Sequence, residues 1–230
     1  MTCSRYAIYF TPGPGPFAEF CAGWLGWDVL HGRATDQDLV EDLPLPRDTI
    51  TEKPRKYGFH GTIKPPFRLA PERAETDLIA SLAAFCTRTA PITLDGLELA
   101  QMGRFLALVP LGDRGALNTL AAEVVHQFDR FRAPLTEGEL ARRRAGTLSP
   151  GQEALLQQWG YPYVMEEFRF HLTLTGKLPK AQASATRDAL LPHLAPLLPA
   201  PFTLDSLSLV GEDPDGRFRV LSRYPLAASI

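Results

Sequence analysis

The chain has few of the residues that build covalent or metal-bound frameworks. Of its 230 residues only three are cysteine, at positions 3, 21 and 86, and no CxxC pair occurs. An odd number of scattered cysteines excludes a disulfide framework and a cysteine-based zinc site, and it is typical of a reducing compartment. No apolar run approaches the ~18 residues of a membrane span, and no N-terminal signal pattern occurs. We therefore expect a soluble, cytoplasmic protein without a membrane partner.

Positive charge is not in excess either. The 24 Lys and Arg residues are outnumbered by 26 Asp and Glu residues, which gives a net charge of −2. A protein that binds long nucleic acids normally carries a basic excess, so the composition disfavours that class of partner. With 45% hydrophobic and 22% charged residues, the chain has an ordinary globular composition and can bury a sizeable core.

Histidine is scarce, yet two of the five histidines occupy matching positions in a repeated segment. Residues 57–64 read YGFHGTIK, and residues 168–175 read FRFHLTLT. Apolar and polar residues alternate in both copies, which predicts two β-strands with one polar face each. The polar faces carry His60, Thr62 and Lys64 in the first strand, and Arg169, His171, Thr173 and Thr175 in the second.

The repeat continues beyond the histidines. Residues 92–99 recur as 202–209 at an offset of 110, and residues 104–108 recur as 217–221 at 113, against 111 for the histidines. Three segments in the same order at a nearly constant offset indicate a duplicated unit, and the period is too long for a solenoid. We predict an α+β fold of two similar lobes in a single domain over 1–230, with antiparallel sheets, outer helices and a pseudo-twofold central cleft. The second lobe copy spans about 164–230 in this interpretation.

The segments between the repeats show further helix and strand patterns. They predict an opening strand at 5–10, helices at 17–25, 71–89, 115–131 and 182–198, and hairpins at 92–111 and 202–224. Residues 28–54, which carry many prolines and acidic residues, are interpreted as an ordered loop. The glycine-rich loop at 11–16 does not favour a phosphate cradle, because its three prolines remove the amide donors that a cradle needs.

Residues 134–163 have no counterpart before the first histidine strand, so we interpret them as a helical insertion. TEGE at 136–139 and SPGQ at 149–152 are helix starts of the capping-box type. Arg142, Arg143 and Arg144 form either a solvated helix face or an arm that supplies positive charge to a phosphate site. We predict that the insertion is ordered and lies over or beside the cleft, where it limits access to small substrates. The alternative is a dimer contact or a solvated decoration.

Two imidazoles, each followed by a threonine on the same strand face, suit phosphodiester chemistry without a metal. At an unperturbed pKa of about 6.5, one neutral histidine takes a proton from an attacking water or hydroxyl, and the other, protonated, donates one to the leaving oxygen. The threonine hydroxyls donate to phosphate oxygens, and Lys64 and Arg169 add charge. A zinc site is the competing hypothesis, but two histidines supply only two of the usual three protein ligands, and neither polar face adds Asp, Glu or Cys.

These segments resemble the 2H phosphoesterase superfamily, which includes RNA 2′,3′-cyclic phosphodiesterases. RYAIY at 5–9, YGFHGTIKPPFRL at 57–69 and FRFHLTLTG at 168–176 are similar, more narrowly, to a bacterial branch associated with phosphonate metabolism and with carbon–phosphorus lyase genes. The resemblance covers essentially the whole chain. It implies that His60 and His171 are the acid–base pair of a phosphodiesterase and that Thr62 and Thr173 bind the phosphate, with no metal or other cofactor.

The same resemblance implies a small phosphorylated substrate, with a cyclic ribose phosphate as one candidate. It leaves open which histidine is the base, and it does not define the oligomeric state. A binding module that holds a phosphorylated ligand or an RNA end in the same cleft, without turnover, is the alternative from a different functional class.

Overall fold

The computed structural model of the chain describes residues 3–35 and 40–227. The strands are β1 (Tyr6–Phe10), β2 (Trp27–Asp28), β3 (Arg33–Ala34), β4 (Gly61–Phe67), β5 (Ile92–Leu94), β6 (Gly96–Met102), β7 (Phe105–Leu111), β8 (Leu172–Thr173), β9 (Phe202–Leu204), β10 (Ser206–Glu212) and β11 (Phe218–Pro225). The helices are α1 (Pro16–Leu25), α2 (Arg47–Arg55), α3 (Glu75–Cys86), α4 (Gly115–Phe128), α5 (Glu137–Arg144), α6 (Pro150–Trp159) and α7 (Lys180–Leu194).

Seven of the strands form one sheet, in the order β11-β10-β1-β4-β8-β7-β6, and every pairing in it is antiparallel. The predicted α+β class with antiparallel sheets is therefore confirmed. The two histidine segments differ from the expected arrangement, because they lead into neighbouring strands in the middle of one continuous sheet. The two halves of the repeat therefore meet in this sheet.

A pseudo-twofold relation between the halves is visible in two ladders. Gly61 of β4 pairs with Leu172 of β8, and the two residues are equivalent by the repeat offset of 111. Thr93 of β5 pairs in the same way with its equivalent, Thr203 of β9, and their hydroxyl oxygens lie 3.3 Å apart. Equivalent residues pair with each other only where a twofold axis passes between them, so both ladders lie on that axis.

The third repeated segment breaks this symmetry. Strand β7 lies between β8 and the edge strand β6. Its counterpart β11 is instead the edge strand at the other end of the sheet, with β10 as its neighbour. The N-terminal strand β1 takes the place beside β4 that β7 takes beside β8. The sequences explain the difference, since β7 (FLALVPL) is almost wholly buried and β11 (FRVLSRYP) is mostly half-buried. A continuous apolar run suits an inner strand, and interspersed polar residues suit an edge.

The two faces of the sheet have different surroundings. Ile8, Ile63, Leu172 and Leu209 point into the main core, which also contains apolar residues of α3 and α7. Helix α3 packs on β10 and β11, and α7 packs on β6 and β7, so each half places its helix on the hairpin of the other half. The opposite face carries Tyr9, among other side chains, together with the polar residues of the repeated motifs.

Two local expectations are wrong. Residues 28–54 are not a loop, because they include all but the last residue of α2, the whole of β3 and the end of β2; residues 36–39 lie outside the described residues. Helix α2 (RDTITEKPR) buries only Ile50, Thr51 and Pro54, so its apolar periodicity is too weak to predict a helix. The histidine strands are also shorter than expected: β4 starts at Gly61, after Gly58 turns the chain at φ 68°, and β8 has two residues.

The insertion is helical, as expected. Helix α5 begins at the capping box of Thr136 and Glu139, and α6 begins at that of Ser149 and Gln152. In the described part of the chain, no helix combines the length and the apolar character that crossing a bilayer requires.

Candidate active site

The ladder between β4 and β8 brings the two repeated motifs together. Because Gly61 pairs with Leu172 in antiparallel register, the histidine of each motif lies opposite the threonine of the other. Extending this register by one residue on each side places His60 opposite Thr173 and Thr62 opposite His171. Alternate residues of a strand point to opposite faces, so these four side chains share the face away from the core. The sheet thus assembles four polar side chains from two distant segments.

A glycine and a phenylalanine allow the two motifs to approach. A Cβ atom placed on Gly61 would lie 2.4 Å from the ring of Phe170, which packs directly under the central ladder. No side chain fits there without moving the ring or separating the strands. The glycine between His60 and Thr62 is therefore a requirement of the site, although the alternation pattern gave it no role.

Both histidines are held in the same orientation by backbone carbonyl groups. His60 Nδ1 lies 2.9 Å from Gly58 O, and His171 Nδ1 lies 2.7 Å from Arg169 O. A carbonyl oxygen only accepts, so Nδ1 carries the proton in each neutral ring and Nε2 keeps its lone pair. In both motifs the carbonyl belongs to the residue two positions before the histidine. Both rings therefore have the same orientation relative to the backbone, with Nε2 on the side away from that carbonyl.

The surroundings of the two Nε2 atoms differ. His60 Nε2 lies 3.0 Å from Thr62 Oγ1, so the hydroxyl donates to the neutral imidazole. His171 Nε2 has no such contact with Thr173 or with another described residue. One motif is thus internally hydrogen-bonded, whereas the other presents both of its polar groups free.

Both imidazoles titrate below the ordinary range, contrary to the expectation of unperturbed values. Burial lowers the pKa of His60 from 6.5 to about 4, against the opposing effect of the Gly58 carbonyl, and a charge on His171 lowers this pKa further. Burial also lowers the pKa of His171, partly offset by the Arg169 carbonyl. The electrostatic effect of one ring on the other agrees with their placement on adjacent strands. Both rings are neutral at pH 7 in the free protein.

Tyr9 is a site residue that the sequence did not reveal. Its ring stacks on His60 with a centroid distance of 3.8 Å and an interplanar angle of 19°, and its Cα pairs with Thr62 across the β1–β4 ladder. Burial raises the pKa of the phenol well above 10, so Tyr9 remains a neutral donor. The corresponding aromatic contact of His171 is looser, since the Phe105 ring lies 5.6 Å away at 49°. A tyrosine in an alternating strand carries no signal of this role.

The two cations that the sequence predicts to bind the substrate, Lys64 and Arg169, differ in burial and in their partners. Lys64 is buried in the cavity wall, where Nζ lies 3.5 Å from Asp129 Oδ1, and burial lowers its pKa to about 8. Arg169 is exposed, and its guanidinium donates to the carbonyl oxygens of Glu166 and Phe168 at 2.8 and 2.7 Å. Lys64 thus lines the cavity, whereas Arg169 is absent from the lining and its guanidinium is bound to the segment that contains the 3₁₀ turn Met165–Glu167.

The motifs border a cavity of about 890 Å³, whose wall includes His60, Thr62 and Thr173. His171 lies against Phe105, another residue of that wall. Positive charge dominates the wall, although the whole chain is slightly acidic. The charged residues of the wall are Arg5, Lys53, Lys56, Lys64, Arg68, Arg132, Arg142, Arg143 and Lys177, against the single carboxylate of Glu139. Such a wall suits an anionic ligand.

The insertion contributes one side of this cavity, through Arg142, Arg143, Trp159 and Tyr161 among others. It is fastened to the segment after β4, because both oxygens of Glu139 accept from Arg68, at 3.1 Å each. The Arg68 guanidinium and the capping interactions lower the pKa of this carboxyl to about 2.

The three arginines of α5 are separated by their contacts. Arg143 lies over the Tyr161 ring, with Cζ 4.6 Å from the centroid. Arg144 instead forms an ion pair with Glu153 and does not contribute to the cavity wall.

The donor set is that of an anion site. Across residues 3–35 and 40–227, no three His, Cys, Asp or Glu side chains lie close enough together to hold a metal ion.

The family model described as "Protein of unknown function (DUF1045)" matches residues 62–219, more than half of the chain. The chain belongs to the DUF1045 family. A curated relative from Janthinobacterium sp. (strain Marseille), named ribose 1,5-bisphosphate phosphokinase PhnN, is 38% identical over 231 residues and covers 97% of the DUF1045 chain. The DUF1045 chain spans about half, 51%, of the length of that relative.

Solved structures show a distant similarity to this DUF1045 protein. One described as a phosphoesterase has 18% identity and a TM-score of 0.45, and covers 99% of this chain and 100% of its own. One of E. coli LigT complexed with 3′-AMP has 17% identity and a TM-score of 0.45, with 97% and 98% covered. At these values no conclusion about activity follows from the similarity.

Proposed function

We propose that this DUF1045 protein is a metal-independent phosphodiesterase that hydrolyses a small phosphodiester by histidine acid–base catalysis. The observation that carries the proposal is the matched pair of motifs on β4 and β8. Each contributes a histidine whose Nδ1–H is held by a carbonyl two residues earlier, and each places a threonine opposite the other histidine. The resemblance of the sequence to the 2H phosphoesterases supports the same chemistry.

In this mechanism His60 is the base and His171 is the acid. His60 has its pKa lowered to about 4, so it is the ring that is neutral when the other is charged. Its Nε2 takes a proton from water as the water oxygen bonds to phosphorus. The phosphorus–oxygen bond to the leaving ester breaks, and His171 Nε2–H gives its proton to that oxygen. An anionic phosphate near His171 favours the charged imidazole that this step needs.

The threonines and the cations supply charge stabilisation. Thr173 donates to a non-bridging oxygen, where charge grows in the transition state. Thr62 does the same once its hydroxyl turns from His60 Nε2, which then accepts from the attacking water. Lys64 adds positive charge, and its ion pair with Asp129 holds the ammonium group in the cavity wall. Among small phosphodiesters, we favour a cyclic ribose phosphate, because the sequence resembles the branch associated with phosphonate metabolism.

The curated relatives carry the name of a kinase, so phosphoryl transfer is the activity to weigh against hydrolysis. The present sequence contains no GxxxxGK[ST] signature, which is the usual loop for nucleotide phosphates. The chain spans only about half of that relative, and we infer from the two His-x-Thr motifs that phosphodiester hydrolysis, rather than phosphoryl transfer from ATP, is its activity.

The decisive experiment is a panel of cyclic and linear phosphodiesters assayed with chelator present. We expect turnover that survives chelation, with a bell-shaped pH profile of kcat/KM. Its maximum should lie below pH 6.5, because the pKa values of both rings are lowered from 6.5. Activity that is lost on chelation and restored by zinc would overturn the mechanism. Tight binding of phosphodiesters without turnover would identify the alternative, a binding module, and ATP-dependent phosphorylation would identify a kinase.

A further inference from the structure

The cavity holds more positive charge than a single phosphodiester can neutralise. Nine cations line it, and among residues 3–35 and 40–227 three carboxylates, Glu139, Asp129 and Glu212, form ion pairs with them. An excess of six positive charges remains, whereas a phosphodiester carries one negative charge. Packing like charges together costs free energy unless a ligand offsets it, so the wall indicates a ligand with several negative charges.

The cations without a carboxylate partner fall into two groups. Arg142 and Arg143 lie on the insertion, whereas Lys53, Lys56 and Lys177, here called the lysine rim, line the cavity from α2, its C-cap and the segment after β8. The lysine rim is compact, since Gly176 N donates to Ile50 O at 2.7 Å and a Cβ on Gly176 would lie 3.9 Å from Lys53 Cβ.

The arginine pair is the better candidate for a fixed phosphate site. Arg143 is half-buried and lies over the Tyr161 ring, which sets the direction of its guanidinium. Helix α5 itself is anchored by its capping box and by the ion pair between Arg68 and Glu139. Arginine binds phosphate through two parallel hydrogen bonds, so the preoriented Arg143, with Arg142 beside it in the wall, selects a phosphate more sharply than flexible lysines do.

We propose that Arg142 and Arg143 form a second anion-binding site, which holds a phosphomonoester group of a substrate whose phosphodiester lies between the histidines. The assignment of the scissile end rests on the proposed function above. The substrate class is therefore a small phosphodiester that carries a second, terminal phosphate. A cavity of about 890 Å³ has room for such a molecule, since pockets of roughly 300–1,000 Å³ hold ligands of drug size.

The first test needs no turnover. Calorimetry compares adenosine 3′,5′-bisphosphate with 3′-AMP, which differ by one terminal phosphate. We expect the bisphosphate to bind the wild-type protein about tenfold or more tightly. The double variant Arg142→Ala/Arg143→Ala should lose this advantage. Arg144→Ala, in the same helix but paired with Glu153, should keep it.

Two results would overturn the site. One is equal affinity of the wild-type protein for both nucleotides. The other is an advantage that persists in the arginine double variant and disappears in Lys53→Ala/Lys177→Ala, which would move the phosphate to the lysine rim.

The second test uses hydrolysis of adenosine 2′,3′-cyclic phosphate with and without a 5′-phosphate. The 5′-phosphate should raise kcat/KM about tenfold or more in the wild type and in Arg144→Ala, but not in the arginine double variant. A binding advantage without hydrolysis of either substrate would sustain the second site and reject the proposed phosphodiesterase. Hydrolysis of both substrates at equal efficiency, with equal binding of the two nucleotides, would sustain the proposed phosphodiesterase and reject the second site.

Discussion

The two histidines occupy equivalent positions in the repeat but different environments. His60 lies under the stacked ring of Tyr9, with its Nε2 hydrogen-bonded to Thr62 and its pKa lowered to about 4. His171 has a looser contact with Phe105 and a free Nε2. The difference originates in the neighbouring strands, because Tyr9 faces Thr62 where Ala107 faces Thr173. Duplication thus supplied two His-x-Thr motifs, and the unequal flanking strands gave their histidines unequal surroundings.

The largest effect should come from the histidines themselves. Replacing either His60 or His171 with Ala should lower kcat by 10²-fold or more, the usual contribution of a positioned acid or base. The two variants should also differ in the pH profile of kcat/KM. His60→Ala should lose the acidic limb, and His171→Ala should lose the basic limb. His126→Ala, on an exposed position of α4, is the control. Interchanged limbs would reverse the assignment of base and acid.

An effect of intermediate size should appear in stability. Unfolded histidine binds a proton with a pKa near 6.5, whereas folded His60 binds one only near pH 4, so the unfolded state takes up more protons between these values. The free energy of unfolding should therefore fall as pH is lowered from 6.5 to 4, by up to about 3 kcal/mol from His60 alone.

Urea unfolding at a series of pH values measures this slope. Since carboxyl groups titrate in the same range, the informative quantity is the difference between the wild type and His60→Gln. Tyr9→Phe retains the stacked ring and should keep the slope, whereas Tyr9→Ala exposes His60 and should reduce it. An unchanged slope in His60→Gln would show that His60 is not buried as described.

The smallest effect should come from the threonines. A single hydroxyl hydrogen bond contributes about 1 kcal/mol, so Thr62→Val and Thr173→Val should each lower kcat/KM roughly five- to tenfold. Because Thr62 also donates to His60 Nε2, only its variant should shift the limb of the pH profile that belongs to His60. Equal shifts in both variants would contradict the asymmetry of the two motifs.

Much of this site can be predicted from the sequence. Alternation and a constant offset identify the His-x-Thr motifs and the duplicated unit, and capping boxes identify the starts of α5 and α6. What could not be predicted depends on strand order. Pattern does not show that β1 inserts beside β4, so the contact of Tyr9 with His60 was missed. Arg169 was assigned to the polar face because the alternation continues into a segment that turns before β8.

The pairing of Gly61 with Leu172 closes a loop of more than a hundred residues, so the four polar side chains of the two motifs come together only when distant parts of the chain meet. Contacts of such large sequence separation form late in folding, because the chain loses the conformational entropy of loop closure before the new contacts stabilise it. During synthesis, the ribosome must release the chain beyond β8 before the second motif can join the first. A nascent or truncated chain that ends earlier carries one complete motif and not the other, so the proposed phosphodiesterase activity would report completed folding.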